Sequence, residues 1–281
     1  MEILSTPAAM TAWSQRARSG GMTVGLVPTM GFLHDGHLSL MRQLRSRVDR
    51  LVVSIYVNPL QFGPSEDLSS YPRDREGDLA KCASVGVDAV FVPEDLYPDG
   101  FSTLVSVNGL TEHLCGASRP GHFDGVCTVV ARLFGVVRPD EAVFGEKDFQ
   151  QLMVIRRMVE DLALPVRVLP GALMRDPDGL AMSSRNTYLS AEDRARALSI
   201  HRALGAMQAA EAAGERRVSA LRSLGRAALD VDRLDYLEVV DALTLAPVDR
   251  VDGPARVAIA AWVGRPRLID NMPLGPSLRW I

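Results

Sequence analysis

Short apolar segments alternate with longer amphipathic segments over residues 1–173, and this alternation constrains the fold more than any other feature of the chain. The apolar segments predict buried strands at residues 25–27, 51–57, 89–92, 142–144 and 166–169. Helical periodicity appears between them, at residues 39–47, 73–85, 126–137 and 150–162. Repeated strand–helix–strand units pair in parallel through right-handed crossovers. We therefore predict an α/β fold for residues 1–173, a Rossmann-like, doubly wound parallel sheet with helices on both faces.

The pattern changes after residue 173. Residues 176–179 (DPDG) predict a turn, and the Ala- and Arg-rich stretch 191–229 predicts two amphipathic helices separated near Gly214. Three strand-like segments follow, at residues 236–240, 256–262 and 267–270. Residues 174–281 are therefore predicted to form a smaller C-terminal α+β domain.

Composition narrows the class of protein. The chain has 281 residues, 47% of them hydrophobic, and a formal net charge of −3, so it has no basic excess for nucleic acid. No apolar run approaches the roughly 18 residues of a membrane span. Cys82, Cys115 and Cys127 are too scattered for a disulfide framework. Composition alone therefore predicts a soluble cytoplasmic globular protein, with no nucleic-acid or membrane partner.

His34 and His37 lie where the first predicted strand turns into a helix. Pro28 and Gly31 are expected to end that strand, and the helical periodicity follows. Two imidazoles three residues apart share one helix face, beside backbone N–H groups that have no intrahelical partner. Such a place favours phosphate, which indicates a nucleotide triphosphate. Ordinary surface or core histidines are one alternative. A zinc fragment is the other, but the chain has no CxxC or HExxH.

Polar residues also follow the other predicted strands. Asn58 and Gln61 come after the second strand, and Lys147 comes after the fourth. The chain contains neither GxGxxG nor GxxxxGK[ST], so no dinucleotide fingerprint or P-loop accounts for a nucleotide site. Open α/β sheets bind ligands at the carboxyl ends of their strands. We expect these residues to converge there.

Residues 28–37 (PTMGFLHDGH) resemble the PTMGxLHxGH motif of the pantothenate synthetase family, which belongs to the HIGH-motif nucleotidyltransferase superfamily. Further family segments follow in the family's order: 57–63 (VNPLQFG), 71–73 (YPR), 119–126 (RPGHFDGV), 144–151 (FGEKDFQQ), 179–186 (GLAMSSRN) and 268–271 (LIDN). The chain departs from the commonest wording at Phe32, often Ala, and at Asp35, often Glu. Neither change removes a phosphate-binding group.

The resemblance implies an ATP-dependent condensation of (R)-pantoate with β-alanine. A pantoate carboxylate oxygen attacks the α-phosphorus of ATP to give pantoyl adenylate and diphosphate. The β-alanine amine then attacks the acyl carbon and AMP leaves. Such chemistry asks mainly for positioning and charge neutralisation. The resemblance also implies Mg²⁺ with ATP as co-substrate, and a homodimer.

The family's functional residues can be carried over to matching positions. Catalytic roles are implied for His34, His37, Lys147 and Arg185. ATP binding is implied for Met30, Gly31, Phe32, Leu33, His34, Asp35, Gly36, His37, Gly145, Glu146, Lys147, Asp148, Met174, Met182, Ser183, Ser184 and Arg185. Residues 182–185 occupy the position of the superfamily's KMSKS loop but contain no lysine, and they are expected to belong to a mobile lid.

The substrate side is implied in the same way. Gln61 and Gln151 match the glutamines that bind pantoate, and Gln61 is also expected near β-alanine. Asp78 is the hypothesised Mg²⁺ carboxylate, with a plain helix-surface acid as the alternative. Four apolar residues could surround the gem-dimethyl group of pantoate or be ordinary core: Pro28, Met30, Phe62 and Val130.

Two other functions remain as alternatives. A related nucleotidyltransferase would join CTP or ATP to a phosphate-bearing substrate and keep the nucleotide in its product. The neutral Gln61 and Gln151 argue against it, because a second phosphate calls for extra cations. A non-catalytic nucleotide-binding module would leave four residues without a function: His34, His37, Lys147 and Arg185.

Overall fold

A parallel sheet and an antiparallel sheet form the centres of two structural units. The computed structural model describes residues 1–64, 66–278 and 280. Unit 1 comprises Met1–Val107, Arg119–Glu146 and Gln151–Ala172, and unit 2 comprises Asn108–Ser118, Lys147–Gln150 and Leu173–Ile281. The domain division at residue 173 stays a prediction.

The regular elements are named here in chain order. They are β1 (Glu2–Leu4), α1 (Pro7–Ser19), β2 (Val24–Thr29), α2 (Asp35–Arg45), β3 (Arg50–Ile55), α3 (Arg75–Ser84), β4 (Ala89–Phe91), α4 (Leu114–Ser118), α5 (His122–Val137), β5 (Glu141–Gly145), α6 (Phe149–Asp161), β6 (Arg167–Gly171), α7 (Ala191–Ala212), α8 (Val218–Ala227), β7 (Arg233–Asp241), β8 (Ala255–Trp262) and β9 (Arg267–Leu274). Short 3-10 helices cover Pro59–Gln61, Glu146–Asp148 and Ser184–Tyr188.

The sheet of unit 1 has the order β1-β4-β3-β2-β5-β6, and all its strand pairs are parallel. The strand order reverses between β2 and β5, which is the topological switch point where open α/β sheets bind ligands. This arrangement confirms the predicted doubly wound sheet. The five predicted strands and four predicted helices are all present, with shifted ends.

Two N-terminal elements escaped the sequence analysis. β1 is three residues long and mostly exposed, so it has no apolar run to find. α1 does carry a start signal: the Thr6 side chain accepts the N–H of Ala9, and Pro7 occupies the first turn. Its Met10 and Trp13 are buried.

The expectation that Pro28 ends the first strand is wrong, because β2 continues through it to Thr29. The carbonyl of Thr29 accepts the N–H of Tyr56, directly after β3, whereas that of Val24 faces the β5 side and accepts the N–H of Asp140. In a strand, the backbone nitrogen and carbonyl of every second residue point to the same neighbouring strand. The nitrogen of Pro28, four residues after Val24, therefore also faces the β5 side. The pairing of β2 with β5 ends at Leu26. The N–H that proline lacks is therefore not needed in the ladder.

The core of unit 1 on the α2 side is one apolar cluster. Val27, Leu51 and Val53 of the sheet pack with Met41 and Leu44 of α2, and all five are fully buried. This burial fixes the direction in which α2 leaves the end of β2. The start of α2 is thereby held at the switch point.

Unit 2 has an antiparallel sheet of order β7-β8-β9, with α7 and α8 on one face. Ser190 is the N-cap residue of α7, and its side chain accepts the N–H of Asp193. The two helices are separated around Gly214, as predicted. The fold thus confirms the smaller α+β part. No helix within residues 1–64, 66–278 and 280 has the length and apolar character needed to cross a membrane.

Candidate active site

The turn from β2 into α2 is held by a buried carboxylate. Asp78, on α3, is 1% exposed, and its oxygens accept the backbone N–H groups of Phe32 at 2.8 Å and Leu33 at 2.7 Å. Gly31 has φ +84°, and a Cβ there would lie 3.0 Å from both Asp78 Oδ2 and Ile55 Cγ2. Glycine is therefore needed at this position. Phe32 also has a positive φ, 51°.

His34 and His37 occupy the first turn of α2, as predicted. His34 is the N-cap residue, and its ring centroid lies 4.1 Å from that of His37. The backbone N–H of His34 donates to His37 Nδ1 at 3.3 Å. Because this Nδ1 accepts, the neutral His37 ring carries its proton on Nε2. The first turn thus offers an imidazole donor beside helix N–H groups, a combination suited to phosphate oxygens.

Gln61, at the end of a 3-10 helix after β3, has its side chain oriented by a buried asparagine. Asn58 is 1% exposed, and its Nδ2 donates to Gln61 Oε1 at 3.1 Å and to the Gly125 carbonyl at 3.0 Å. Tyr97 Oη donates to Asn58 Oδ1 at 2.8 Å. These bonds direct the Gln61 amide nitrogen toward Met30 Sδ, 3.3 Å away. Gln61, predicted to bind pantoate, is therefore in contact with the turn of residues 30–34 between β2 and α2, called here the His-motif turn.

The Gln61 carbonyl is held by two basic residues from the segment before and at the start of α5. His122 Nδ1 lies 2.8 Å from this carbonyl, and Arg119 Nη2 donates to it at 3.3 Å. Arg119 Nη1 lies 2.9 Å from His122 Nε2. Since the carbonyl can only accept and the guanidinium can only donate, His122 carries its proton on Nδ1.

Glu66 completes this group. Two nitrogens of Arg119 lie 2.6 Å from the Glu66 carboxylate. Burial acts to raise the pKa of Glu66, but the hydrogen bonds and charge of Arg119 outweigh it, and the pKa falls below its usual value. The Glu66–Arg119 pair therefore stays ionised at neutral pH.

Gly125, in α5, permits the close approach of the 3-10 helix. A Cβ at Gly125 would lie 2.2 Å from the Leu60 carbonyl oxygen and 2.6 Å from the Gln61 nitrogen. Both are backbone atoms, so a side chain at this position must push the 3-10 helix away from α5. Gly135 lies in the same helix, and its Cβ would meet nothing within 4 Å.

We predict that Gly125→Ala lowers the free energy of unfolding by about 1–3 kcal/mol, the usual cost of overpacking. Gly135→Ala is the matched control and should raise it by about 0.5–1 kcal/mol, because alanine is the better helix former. Urea unfolding of both variants measures the difference. Equal stability of the two would contradict the close approach at Gly125.

Residues 147–150 are fastened to one face of the β7–β9 sheet. Asn271 Nδ2 donates to the Lys147 carbonyl at 2.9 Å. The Arg256 guanidinium lies 3.9 Å from the centroid of the Phe149 ring. Gln150 Nε2 donates to the Leu110 and His113 carbonyls, both at 2.8 Å. The backbone of Lys147 is thus fixed within unit 2. The Lys147 side chain is 20% exposed, with Asp148 3.8 Å away.

The loop that resembles KMSKS is fastened to β9 by an ion pair. Arg175 contacts Asp270 through two bonds, at 2.6 and 2.9 Å, and donates to the Gly179 carbonyl at 3.1 Å. The N–H of Met182 donates to the Met174 carbonyl at 3.0 Å. Ser183 caps the following 3-10 helix and accepts the N–H of Arg185 at 3.3 Å. Four predicted ATP-binding residues are therefore adjacent in unit 2: Met174, Met182, Ser183 and Arg185.

The predicted residues fall into two sets. Unit 1 contains residues 30–37, Gln61, Asp78, Gly145, Glu146 and Gln151, of which Gln61 and Asp78 contact the His-motif turn directly. Unit 2 contains Lys147, Asp148, Met174 and residues 182–185. The individual site roles stay predictions. Each of the three cysteines is free, as expected, and all three are buried.

The sequence analysis did not predict that Asn58 orients the Gln61 side chain. It assigned no role to four further supporting residues: Arg119, His122, Asp270 and Asn271. Each lies inside a segment that was singled out, so a signal was present. What it could not show is that these side chains hold other segments in place. That information depends on contacts distant in sequence.

The comparisons with known proteins agree with this geometry. The family described as pantoate-beta-alanine ligase matches residues 2–273. The pantothenate synthetase of Moorella thermoacetica is 51% identical over 279 residues, covering 98% of this chain and 99% of the relative. That of Myxococcus xanthus is 52% identical over 280 residues, with 97% and 96% covered.

Solved structures give the same result. The pantothenate synthetase of Thermus thermophilus has a TM-score of 0.92 at 47% identity, covering 97% of this chain and 99% of that one. The pantoate-beta-alanine ligase of Francisella tularensis, complexed with beta-gamma ATP and beta-alanine, has a TM-score of 0.80 at 31% identity, with 97% of each chain covered. The sheet order, the His34–His37 turn and these matches together show that the chain belongs to the pantoate-beta-alanine ligase family.

Proposed function

We propose that the chain condenses (R)-pantoate with β-alanine at the expense of ATP, and releases (R)-pantothenate, AMP and diphosphate through a pantoyl adenylate. One observation carries this proposal most directly. Met30, in the turn that leads to His34 and His37 at the switch point of the sheet, contacts a glutamine, Gln61, whose amide is already oriented by Asn58. Phosphate chemistry and recognition of a neutral polar substrate group are therefore adjacent in unit 1.

The helix start supplies the interactions for ATP. Nε2–H of His37 and the N–H groups of the first turn can donate to phosphate oxygens, and the helix dipole favours their negative charge. His34 and residues 30–33 would line the same turn. Charge on the departing diphosphate is stabilised by donors that are in place before the reaction.

Pantoate would be bound through its hydroxyl and carboxylate oxygens. In the structure Gln61 Nε2 faces a thioether sulfur, a weak acceptor, at 3.3 Å. A carboxylate or hydroxyl oxygen is a better acceptor and would replace it. Gln151 in α6 is proposed for the second contact, and Gln61 for β-alanine as well. The gem-dimethyl role of Pro28, Met30, Phe62 and Val130 stays a prediction.

Unit 2 contributes cations and hydroxyls. We assign Lys147 and Arg185 to the phosphates of ATP, Lys147 as a compact point charge and Arg185 as a planar fork of donors. Ser183 and Ser184 would add hydroxyl donors, and Gly145, Glu146, Asp148, Met174 and Met182 would complete the nucleotide contacts. Residues 174–281 are proposed as a lid domain that shields the adenylate from water.

We propose that Mg²⁺ enters with ATP, because magnesium at nucleotide sites binds phosphate oxygens, waters and one or two carboxylates. It would neutralise phosphate charge. Asp78 fits this role only in part: both of its oxygens already accept backbone N–H groups, and it is 1% exposed. Its ligation of Mg²⁺ stays a prediction, while its contacts support a role in holding the His-motif turn.

Asp78→Asn separates these two roles of the carboxylate. We expect the variant to lose about 1–3 kcal/mol of unfolding free energy, because the asparagine NH₂ cannot accept one of the two N–H groups. The KM for ATP should rise and should stay raised as the Mg²⁺ concentration is increased. Glu76→Gln, an exposed acid in the same helix, is the control. Recovery at high Mg²⁺ would instead support direct ligation.

The reaction itself is tested by product analysis. We expect AMP from ATP only when pantoate and β-alanine are both present, and pantoate-dependent exchange of labelled diphosphate into ATP without β-alanine. Formation of ADP would contradict the adenylate mechanism. A binding module would show neither reaction, and a nucleotidyltransferase would retain the nucleotide in its product.

Lys147→Ala should lower kcat by about 100-fold or more, since removing one preorganised transition-state contact typically costs about 10²–10³ in rate. The chain has two lysines, so Lys81→Ala is the matched control and should keep wild-type activity. Unchanged turnover in Lys147→Ala, with normal unfolding behaviour, would remove Lys147 from the mechanism.

We also propose a cytoplasmic homodimer, as the resemblance implies. Light scattering coupled to gel filtration should then give about twice the chain mass of 30.5 kDa. A mass of one chain across the micromolar range would overturn it.

A further inference from the structure

Two polar residues lie side by side, buried, in the middle of β9. Asp270 is 4% exposed and Asn271 is 5% exposed, although their neighbours in the strand are mainly apolar. Burying an acid and an amide is costly unless each is fully engaged. The LIDN segment that contains them was singled out in the sequence but has no role in the proposed reaction.

The side chain of Asn271 lies on the face of the β7–β9 sheet that is opposite to α7 and α8. Its Nδ2 donates to the Lys147 carbonyl at 2.9 Å. Ala258 is its direct partner on β8, so Asn271 shares its face with Arg256, which stacks on Phe149. The bond reaches the backbone of the residue whose side chain is assigned to the phosphates. It therefore fixes the origin of that side chain.

Asp270 points to the opposite face, because successive residues of a strand alternate. It forms the bidentate pair with Arg175, which in turn donates to the Gly179 carbonyl. Arg175 also forms an isolated bridge with Ala181, directly before the Met182–Arg185 segment. Oδ1 of Asp270 also accepts the backbone N–H of the next residue, Asn271, at 2.7 Å.

We propose that Asp270 and Asn271 are positioning residues that set Lys147 and the Ser183–Arg185 loop from one rigid strand. The inference rests on the proposed function, because it assigns both segments to ATP phosphates. Neither residue touches the substrate. Asn271 acts through Lys147 and governs the charge that meets the departing diphosphate. Asp270 acts through Arg175 on the loop.

The test centres on Asn271→Asp, which keeps the shape of the side chain and removes its N–H donor. We expect kcat of the pantoate-dependent diphosphate exchange to fall by about 10–100-fold, as for an approximately 1 Å misplacement of a catalytic group. The KM for ATP should change less than about threefold, because Lys147 acts mainly in the transition state. Asn271→Ala, which introduces no charge, should give the same split.

Gln208→Ala is the matched control. Gln208 Nε2 also donates to a carbonyl of β9, that of Pro273, at 3.0 Å, but on the exposed surface. Its loss should leave kcat and the KM for ATP unchanged. Urea unfolding of all three variants separates misfolding from misplacement.

The double variant of Asn271 and Lys147 tests whether Asn271 affects kcat through Lys147. In a Lys147→Ala background, Asn271→Ala should cost less than about twofold, since coupled residues are not additive. A full additional loss in that background, or a kcat within about twofold of wild type in Asn271→Ala alone, would overturn the positioning role. Absence of exchange in the wild type would instead refute the proposed function itself, so the two failures are distinguishable.

Discussion

The buried carboxylate of Asp78 is the contact on which the rest of the unit 1 site depends. The turn after β2 must present both histidines at the start of α2, and its backbone at Gly31 and Phe32 adopts positive φ angles. Asp78 satisfies two N–H groups of that turn, and such charge-assisted bonds are about twice as strong as neutral ones. Without this acceptor the turn would lose both of these bonds, one at Phe32 and one at Leu33.

The same logic recurs at the other candidate residues. Asn58 orients Gln61, Asn271 holds Lys147, and Asp270 with Arg175 holds the loop before Ser183. In each case a buried polar side chain bonds to the backbone or side chain of an exposed or half-exposed one. Preorganisation of this kind matters for adenylate formation, because the chemistry needs placed charges more than a covalent nucleophile.

The sequence predicted the helices and strands that have periodic apolar patterns. It did not predict features that depend on contacts between residues distant in sequence. The strand–helix alternation gave the parallel sheet and its helices, and the HxxH spacing placed both histidines in the first turn of a helix. β1 was missed because it has only three residues, most of them exposed, and so no apolar pattern. Pro28 was wrongly expected to end β2, because a proline fits in this strand only where the pairing with β5 has already ended. Asp78 was singled out in the sequence, but residue spacing could not show that it bonds to a turn 45 residues earlier.

Lys147 shows how composition and structure together bear on mechanism. The chain has 31 basic residues and only two lysines, so 29 are arginines. A lysine immediately after β5, on a backbone held by Asn271, is therefore not a product of general preference for basic side chains. Arginine would bring a rigid fork suited to one fixed geometry, whereas an ammonium group is a compact charge with rotatable donors. Phosphate oxygens move apart as diphosphate leaves, and a point charge can follow them. In the proposed reaction, an ammonium group on a fixed backbone would meet both needs of this step.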